Sequence, residues 1–309
     1  MFRFFVMFLM LVTANVGASD KITVVLDWFI NPNHALLVLA EQKGYFKAHD
    51  LEIEFVPQYN PAVALQTLLT HKQNLVVTYQ SSYIKTLAKK NFPITQISTL
   101  LNGPLGCVIA LQASGVTQFT DLVGKNIGIS TADEEFMLQM MLQHAQPKTV
   151  NKLITTLLSS NNIVAQLLSG KVAAISGGYR NYEVHLLAKY KKKLVVFYPE
   201  DYGFPRHDEL VVVAHTAVKT EAVRNFNRAL QDAADYIHNN SEQAFEDFML
   251  YVARHNNYVH TQNTAENNKL LQKSWASTVF YVPFKPAAFN SLRYKKYYNF
   301  LKDNNFIAP

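Results

Sequence analysis

The chain has 309 residues, 49% of them hydrophobic and 17% charged, a globular composition that excludes extensive disorder and favours two domains over one. Its formal net charge is +6, yet the lysines are scattered apart from Lys89-Lys90, Lys191-Lys192-Lys193 and Lys295-Lys296. With no basic stripe interleaved with aromatics, nucleic acid is not an expected partner.

The first eighteen residues stand apart. Arg3 precedes an apolar run from Phe4 to Val12, and Val16-Gly17-Ala18 closes it with a small-x-small pattern. This predicts a cleaved secretory signal peptide over residues 1–18, too short to span a bilayer. Its removal takes one arginine and no acid, leaving 28 basic against 23 acidic residues, a charge of +5. No other segment is apolar enough to cross a membrane, and no cysteine stands at the cleavage region for lipid attachment, so a soluble exported chain is expected. The one cysteine, Cys107, lies in the apolar run GCVIALQ. It cannot pair internally, and a small buried hydrophobe is the expected role, not a nucleophile.

After the leader, KITVVLDW reads as a buried strand and HALLVLAEQKGYF as a helix that stops at Gly44. LEIEFVP alternates as a second strand, Pro61 opens a helix through Leu68-Leu69, and NLVVTY is a third strand. Strands alternating with helices predict a mainly parallel sheet. The order then returns: a strand over Asn126 to Ser130, a helix from about Ala132 to Gln143, and the run NNIVAQLLSGKVAAISGGY. That run lies beside NPAVALQTLLTHKQNLVVTY, with Leu167-Leu168, Lys171 and Tyr179 answering Leu68-Leu69, Lys72 and Tyr79. Two similar α/β lobes follow, each with a tyrosine just past the carboxyl end of an equivalent strand. DELVVVAHTAV supplies one more strand, and the remainder is mostly helix, including the amphipathic tail SLRYKKYYNFLKDNNF, whose tyrosines are expected to pack. The chain therefore returns to finish the first lobe: residues 19–104 and 205–309 form lobe 1, residues 105–204 lobe 2. The crossings near Leu101 to Leu105 and Tyr202 to Pro205 would form a hinge.

The residues that could carry chemistry crowd the strand–helix joins, where open α/β sheets place ligands. Trp28, Asn31, Asn33 and His34 stand at the first join; Asn33 alone could be a helix cap. His34 has no second histidine at ligand spacing, so it is expected to face the cleft or to orient Asn31, not to hold a metal. Trp28, Tyr79, Tyr179 and Tyr202 are candidate stacking walls, with Tyr182 in place of Tyr179 if its helix begins a turn earlier. Glu183 lies four residues after Tyr179, one helical turn away and on the same side. Glu134-Glu135 reads as a solvated face that could also touch a partner protein. The glycines after AIS should let the backbone approach a ligand or turn tightly. No Gly-x-Ser-x-Gly elbow and no cysteine–histidine signature points to hydrolysis.

LDWFINPNHALLVLAEQKGYF, with LEIEF close behind, resembles the thiamine-pyrimidine group of periplasmic binding proteins and their relatives, the pyrimidine precursor synthases. FTDLVGKNIGIS resembles the segment that opens the second lobe across many transporter binding proteins. The resemblance implies a two-lobed periplasmic binding protein type II-like fold, mainly parallel in each lobe. It also implies a small pyrimidine ligand, an ABC-transporter permease as partner and a monomer in the periplasm. It sets Glu183 where the transport relatives keep a ligand-reading glutamate, and Tyr79-Gln80 at their tyrosine–glutamine pair. In the synthases a lysine that holds pyridoxal phosphate and a nearby histidine align with Tyr79 and Tyr83. A Schiff base needs an amine, so no cofactor and no enzymatic activity are expected.

Overall fold

A computed structural model describes residues 20–58, 60–89, 92–147, 153–159, 162–255 and 264–307. The predicted signal peptide lies outside them.

The chain enters through strand β1 (Asp20–Leu26), whose inward residues Ile22, Val24 and Leu26 are buried. A short 3-10 turn over Pro32–His34 leads into helix α1 (Ala35–Gln42), buried from Ala35 to Ala40 because it is covered on several sides. Gly44 then takes φ +73°, the left-handed conformation that ends a helix at low steric cost, and α2 (Tyr45–Ala48) follows. The helix stops at Gly44 as expected, and Tyr45 and Phe46 belong to the short helix that follows. Next come β2 (Leu51–Pro57), α3 (Pro61–Thr70), β3 (Leu75–Tyr79), α4 (Gln80–Lys89) and β4 (Ile94–Leu101).

The second lobe holds β5 (Gly106–Leu111), β6 (Asn126–Ile129), α5 (Ala132–Ala145), β7 (Ile154–Leu157), α6 (Ile163–Leu168), β8 (Ala174–Tyr179), α7 (Glu183–Lys189) and β9 (Leu194–Phe197). The chain returns as β10 (Leu210–His215) and ends in α8 (Thr220–Asn239), α9 (Ser241–Arg254), α10 (Ala265–Val279) and α11 (Ser291–Asp303).

Two five-stranded sheets result, ordered β2-β1-β3-β10-β4 and β7-β6-β8-β5-β9. The internal repeat is visible in the register: β1 is parallel to both β2 and β3, and β6 to both β7 and β8. Each sheet is mixed, with one antiparallel strand in fourth place: β10 against β3 and β4, β5 against β8 and β9. The alternating pattern anticipated the parallel strands; the reversed ones are those that follow a crossing, where the chain enters a sheet from its other end.

Alternation along β5 sends Cys107 and Ile109 to one face with Ile163, Leu167, Ile175 and Leu187. Val108 and Ala110 face the other way, onto Phe119, Leu138 and Met141. In lobe 1, α8 buries Phe226, Ala229, Leu230, Ala233 and Ile237 against α1 and α2, with Phe226 stacked on Phe46 at 5.4 Å. Each large side chain buried this way contributes roughly 1.5–3 kcal/mol.

The two lobes touch outside the crossings. On one side α10 reaches α7 through His185 and Ser277 (2.7 Å) and Lys189 and Glu266 (3.0 Å). On another, Phe300 lies 4.7 Å from Phe204 and Phe306 4.5 Å from Phe136.

Candidate functional site

The carboxyl ends of β3 and β8 occupy equivalent third places in their sheets. That equivalence brings the two repeat tyrosines together: the Tyr179 hydroxyl donates to the Tyr79 hydroxyl at 2.8 Å. Burial pushes both phenols well above their ordinary range, reinforced for Tyr79 by the negative charge of Asp27 and Glu209. Both tyrosines therefore stay neutral hydroxyls.

Asp27, the residue after β1, stands close enough to Tyr79 for its negative charge to raise the phenol. It is buried against His34, whose Nε2 is 2.9 Å from its Oδ1. The Asn31 backbone N–H donates to His34 Nδ1 at 3.3 Å. Nδ1 is thus the acceptor and Nε2 the donor, which fixes the tautomer. His34 is a buried strut that orients the turn; of the two roles expected of it, the structure gives it the second. Asn31, not Asn33, caps the turn: its Oδ1 accepts from the Asn33 N–H at 2.9 Å and its Nδ2 donates to Phe29 O at 2.8 Å. That frees the Asn33 side chain, whose Oδ1 accepts from Asn181 Nδ2 of lobe 2 at 2.7 Å. Trp28, partly buried beside these groups, meets Phe29 edge-on at 5.8 Å.

Glu183 opens α7, and its Oε2 accepts from the Tyr179 backbone N–H at 2.7 Å. The two residues do meet, although Tyr179 ends a strand and only Glu183 is helical, so the contact is a strand-end amide to a helix-start carboxylate. Desolvation raises the Glu183 carboxyl to about 7. Tyr182 sits at the cap of the same helix, its phenol raised to about 12 by burial and by Glu183. Glu209, which precedes β10 in the second crossing, accepts from the Leu105 N–H of the first crossing at 2.6 Å, and burial raises it to about 7 as well. Arg180, between Tyr179 and Asn181, donates its backbone N–H to Leu105 O at 2.9 Å and pairs bidentately with Glu200 at 2.5 and 2.9 Å.

Other expected site residues are placed differently. Gln80 is buried and tied to Asp208, accepting from its N–H at 3.1 Å, and to Gln96 at 3.1 Å. Tyr202 is set apart, its ring against Phe119 at 4.9 Å and Phe197 at 6.3 Å in the lobe 2 core. Glu134 is not the solvated residue its neighbourhood suggested. It turns back to accept from the Ser130 N–H and hydroxyl, both at 2.6 Å, and burial raises its carboxyl; Glu135 is exposed. Gly177, at φ +78°, lies so close to Glu134 that an added Cβ would fall 2.1 Å from its Oε1. Cys107 is fully buried, its thiol pushed up by desolvation.

Asp27, Asn181 and Glu209 were missed by sequence reasoning. Asn181 could have been flagged, since it is flanked by nominated residues in YRNYE just past a strand end. Among the described residues no cluster of histidine, cysteine and carboxylate side chains could hold a metal ion.

Two α/β lobes, two crossings and facing strand ends define the fold of the periplasmic binding proteins. The alkanesulfonate-binding protein SsuA of Xanthomonas axonopodis bound to MOPS superposes with a TM-score of 0.67, covering 96% of each chain at 13% identity. The aliphatic sulphonate binding protein SsuA of Escherichia coli gives 0.65, covering 93% of this chain and 88% of that one at 13% identity. The family described as NMT1/THI5 like matches residues 31–244, and the chain belongs to it. A protein of Haemophilus influenzae named for thiamine biosynthesis is 31% identical over 98% of this chain and 93% of its own. A formylaminopyrimidine-binding protein of Halalkalibacterium halodurans is 27% identical over 74% of this chain and 69% of its own. A 4-amino-5-hydroxymethyl-2-methylpyrimidine phosphate synthase of Saccharomyces cerevisiae is 27% identical over 78% and 74%.

Proposed function

We propose that the chain is the periplasmic substrate-binding protein of an ABC transporter. It would capture an aminopyrimidine precursor of thiamine, of the formylaminomethyl or hydroxymethyl type, between its lobes and hand it to a membrane permease. The observation that carries this reading is the charge and shape of the strand-end cluster. Asp27, Glu183 and Glu209 surround two tyrosines from opposite lobes, and the nearby cation Arg180 is already paired with Glu200. Such a site suits a flat, amino-bearing ring, which can donate from its exocyclic amine to a carboxyl oxygen while its faces meet aromatic rings. Trp28, Tyr79, Tyr179 and Tyr182 are the candidate faces and Glu183 the candidate reader. Ligand contacts from both lobes would shift the population toward the closed form, so the mechanism is domain closure. The signal peptide over residues 1–18 and a monomeric state belong to the same reading.

A second reading is the synthase activity that the yeast relative's name carries. The residues do not fit pyridoxal phosphate: the position aligned with its lysine is Tyr79, a phenol bonded to Tyr179. The nearest lysine in that segment, Lys85, pairs with Asp133 and lies over the Phe306 ring at 4.7 Å.

Thermal unfolding of residues 19–309 against thiamine, the two pyrimidines, riboflavin, taurine and pyridoxal phosphate tests both readings. A ligand at 100 times its dissociation constant stabilises by about 2.7 kcal/mol, a visible shift in midpoint. A shift with a pyrimidine, abolished by Glu183→Ala, is expected. A shift with pyridoxal phosphate alone, together with an imine absorbance, overturns the transport reading.

A further inference from the structure

The polar contacts around the strand ends form a loop that leaves lobe 2 and returns to it two residues later. It runs from the Tyr179 hydroxyl to Tyr79, past the neighbouring charge of Asp27 to His34 and the Asn31–Asn33 turn. It comes back at Asn181, whose Nδ2 donates to Asn33 Oδ1 at 2.7 Å. The second hydrogen on that nitrogen goes to Thr278 Oγ1 of α10, also at 2.7 Å, and the Thr278 hydroxyl in turn donates to Ser274 O. Asn181 and Thr278 are both fully buried.

This arrangement is demanding. One amide nitrogen of lobe 2 meets two acceptors of lobe 1, from segments separated by more than two hundred residues, and both of its hydrogens are spent. Each acceptor is positioned separately. Asn33 is released for the task because Asn31 caps the turn, and Thr278 is oriented by its own bond down the helix. The Asn181 backbone also sits one residue after Arg180, which is fastened to the first crossing through Leu105 O and Gly106 O and to the second through Glu200. Movement at the hinge is therefore delivered directly to the Asn181 side chain. Opening the lobes would break both bonds of the Asn181 amide nitrogen at once.

We propose that Asn181 is the closure latch of this protein, a positioning residue that holds the shut form by joining the Pro32–His34 turn and helix α10 to lobe 2. It acts on the geometry of the cleft without reading the ligand, so it stands whichever small molecule the cleft takes.

The test is a ligand-free measurement on the whole mature chain. In the first arm, cysteines replace Asn33 and Asn181 together. Mild oxidation, or a short bismaleimide if the two thiols stand too far apart to bond directly, should join the lobes in the pair and in neither single variant, and the absence of both cross-links overturns the contact. In the second arm, spin labels are attached at Lys72→Cys and Ala113→Cys, exposed positions at strand ends remote from the cleft. Asn181→Ala, Asn33→Ala and Thr278→Val should each lengthen the interlobe distance. Asn33→Ala should add nothing once Asn181 is alanine. Distances that superimpose on those of the parent, or effects of Asn33→Ala and Asn181→Ala that add, overturn the proposal. Thr278→Val preserves the shape of the side chain while removing the hydroxyl that accepts from Asn181 and donates to Ser274 O within its own helix, so the arm survives a folding defect in the alanine variants. Failure of pyrimidine binding leaves both arms readable.

Discussion

Tyr79 and Tyr179 are one hundred residues apart and make the same stop at the same strand in two copies of one folding unit, yet their hydroxyls are 2.8 Å from each other. Repetition explains the meeting. When two similar sheets face one another across a pair of crossings, equivalent strand ends point into the same space. A chain that repeats its own lobe thus acquires a pseudo-symmetric pair of polar aromatics at no cost in new topology.

The pair should be measurable as a coupling. Tyr79→Phe leaves the Tyr179 hydroxyl buried without its acceptor, and a loss of about 1–3 kcal/mol is expected in urea unfolding. Tyr179→Phe should lose less, because it takes only a donor from the Tyr79 oxygen and strands no hydroxyl hydrogen. The double variant should recover roughly 1 kcal/mol relative to the sum. Strict additivity would mean that the lobes do not meet at these residues in solution.

Asp27 and His34 are both buried and 2.9 Å apart. Removing His34 leaves a carboxylate in the interior, so His34→Ala should destabilise by about 3–5 kcal/mol. Asp27→Asn keeps an acceptor for the histidine N–H and removes the charge, and should cost about 1–2 kcal/mol. Combining them should cost less than the sum, since the stranded charge is gone. Denaturant midpoints for the four proteins decide it.

Gly177 needs the absence of a side chain twice over, for its φ of +78° and for the Glu134 carboxylate that occupies the space of a Cβ. Gly177→Ala should cost on the order of 3 kcal/mol, part backbone strain and part displacement of Glu134 from its two bonds to Ser130. In a Glu134→Ala background the same substitution should cost only the backbone part, about 1–2 kcal/mol. Equal costs in both backgrounds would dissociate the glycine from the glutamate.

What could be read from the chain alone followed the range of the forces involved. Strand and helix periodicity is local, and the run of α/β units and its repeat were legible. The tyrosines were legible because a repeat carries position with it. Gln80 and Tyr202 show the limit: polar and aromatic residues near a strand end or a crossing look alike in sequence whether they face a cleft or a core. Only the packing of Tyr202 on Phe119 and of Gln80 on Asp208 separates them. Asn181 was hidden for a different reason. Its meaning lies in Asn33 and Thr278, 148 and 97 positions away, and no local pattern encodes a partner at that distance.

Glu209 stands at the same kind of distance, spanning the two crossings by accepting from the Leu105 N–H. Its carboxyl is raised from 4.5 to about 7, by burial first, with Asp27 adding to the shift and Arg180 opposing it. Below pH 4.5 it is protonated in both folded and unfolded chains and contributes nothing to the pH dependence. Between 4.5 and 7 the unfolded chain ionises while the folded one holds its proton, so stability falls as pH rises. Above 7 the penalty is constant, on the order of 3 kcal/mol for a shift of this size. Glu183 carries the same sign and window. His207, buried and lowered to about 4, carries the opposite one, gaining stability as pH rises from 4 to 6.5. The bulk pH profile therefore mixes opposing contributions, and a single substitution is needed to isolate one. Glu209→Gln keeps an oxygen for Leu105 and cannot ionise. Its unfolding free energy, set against the parent, should be nearly unchanged or lower at pH 4.5 and should rise steadily relative to it up to pH 7.5. A difference between variant and parent that is flat across that window would show that Glu209 does not hold its proton at the hinge.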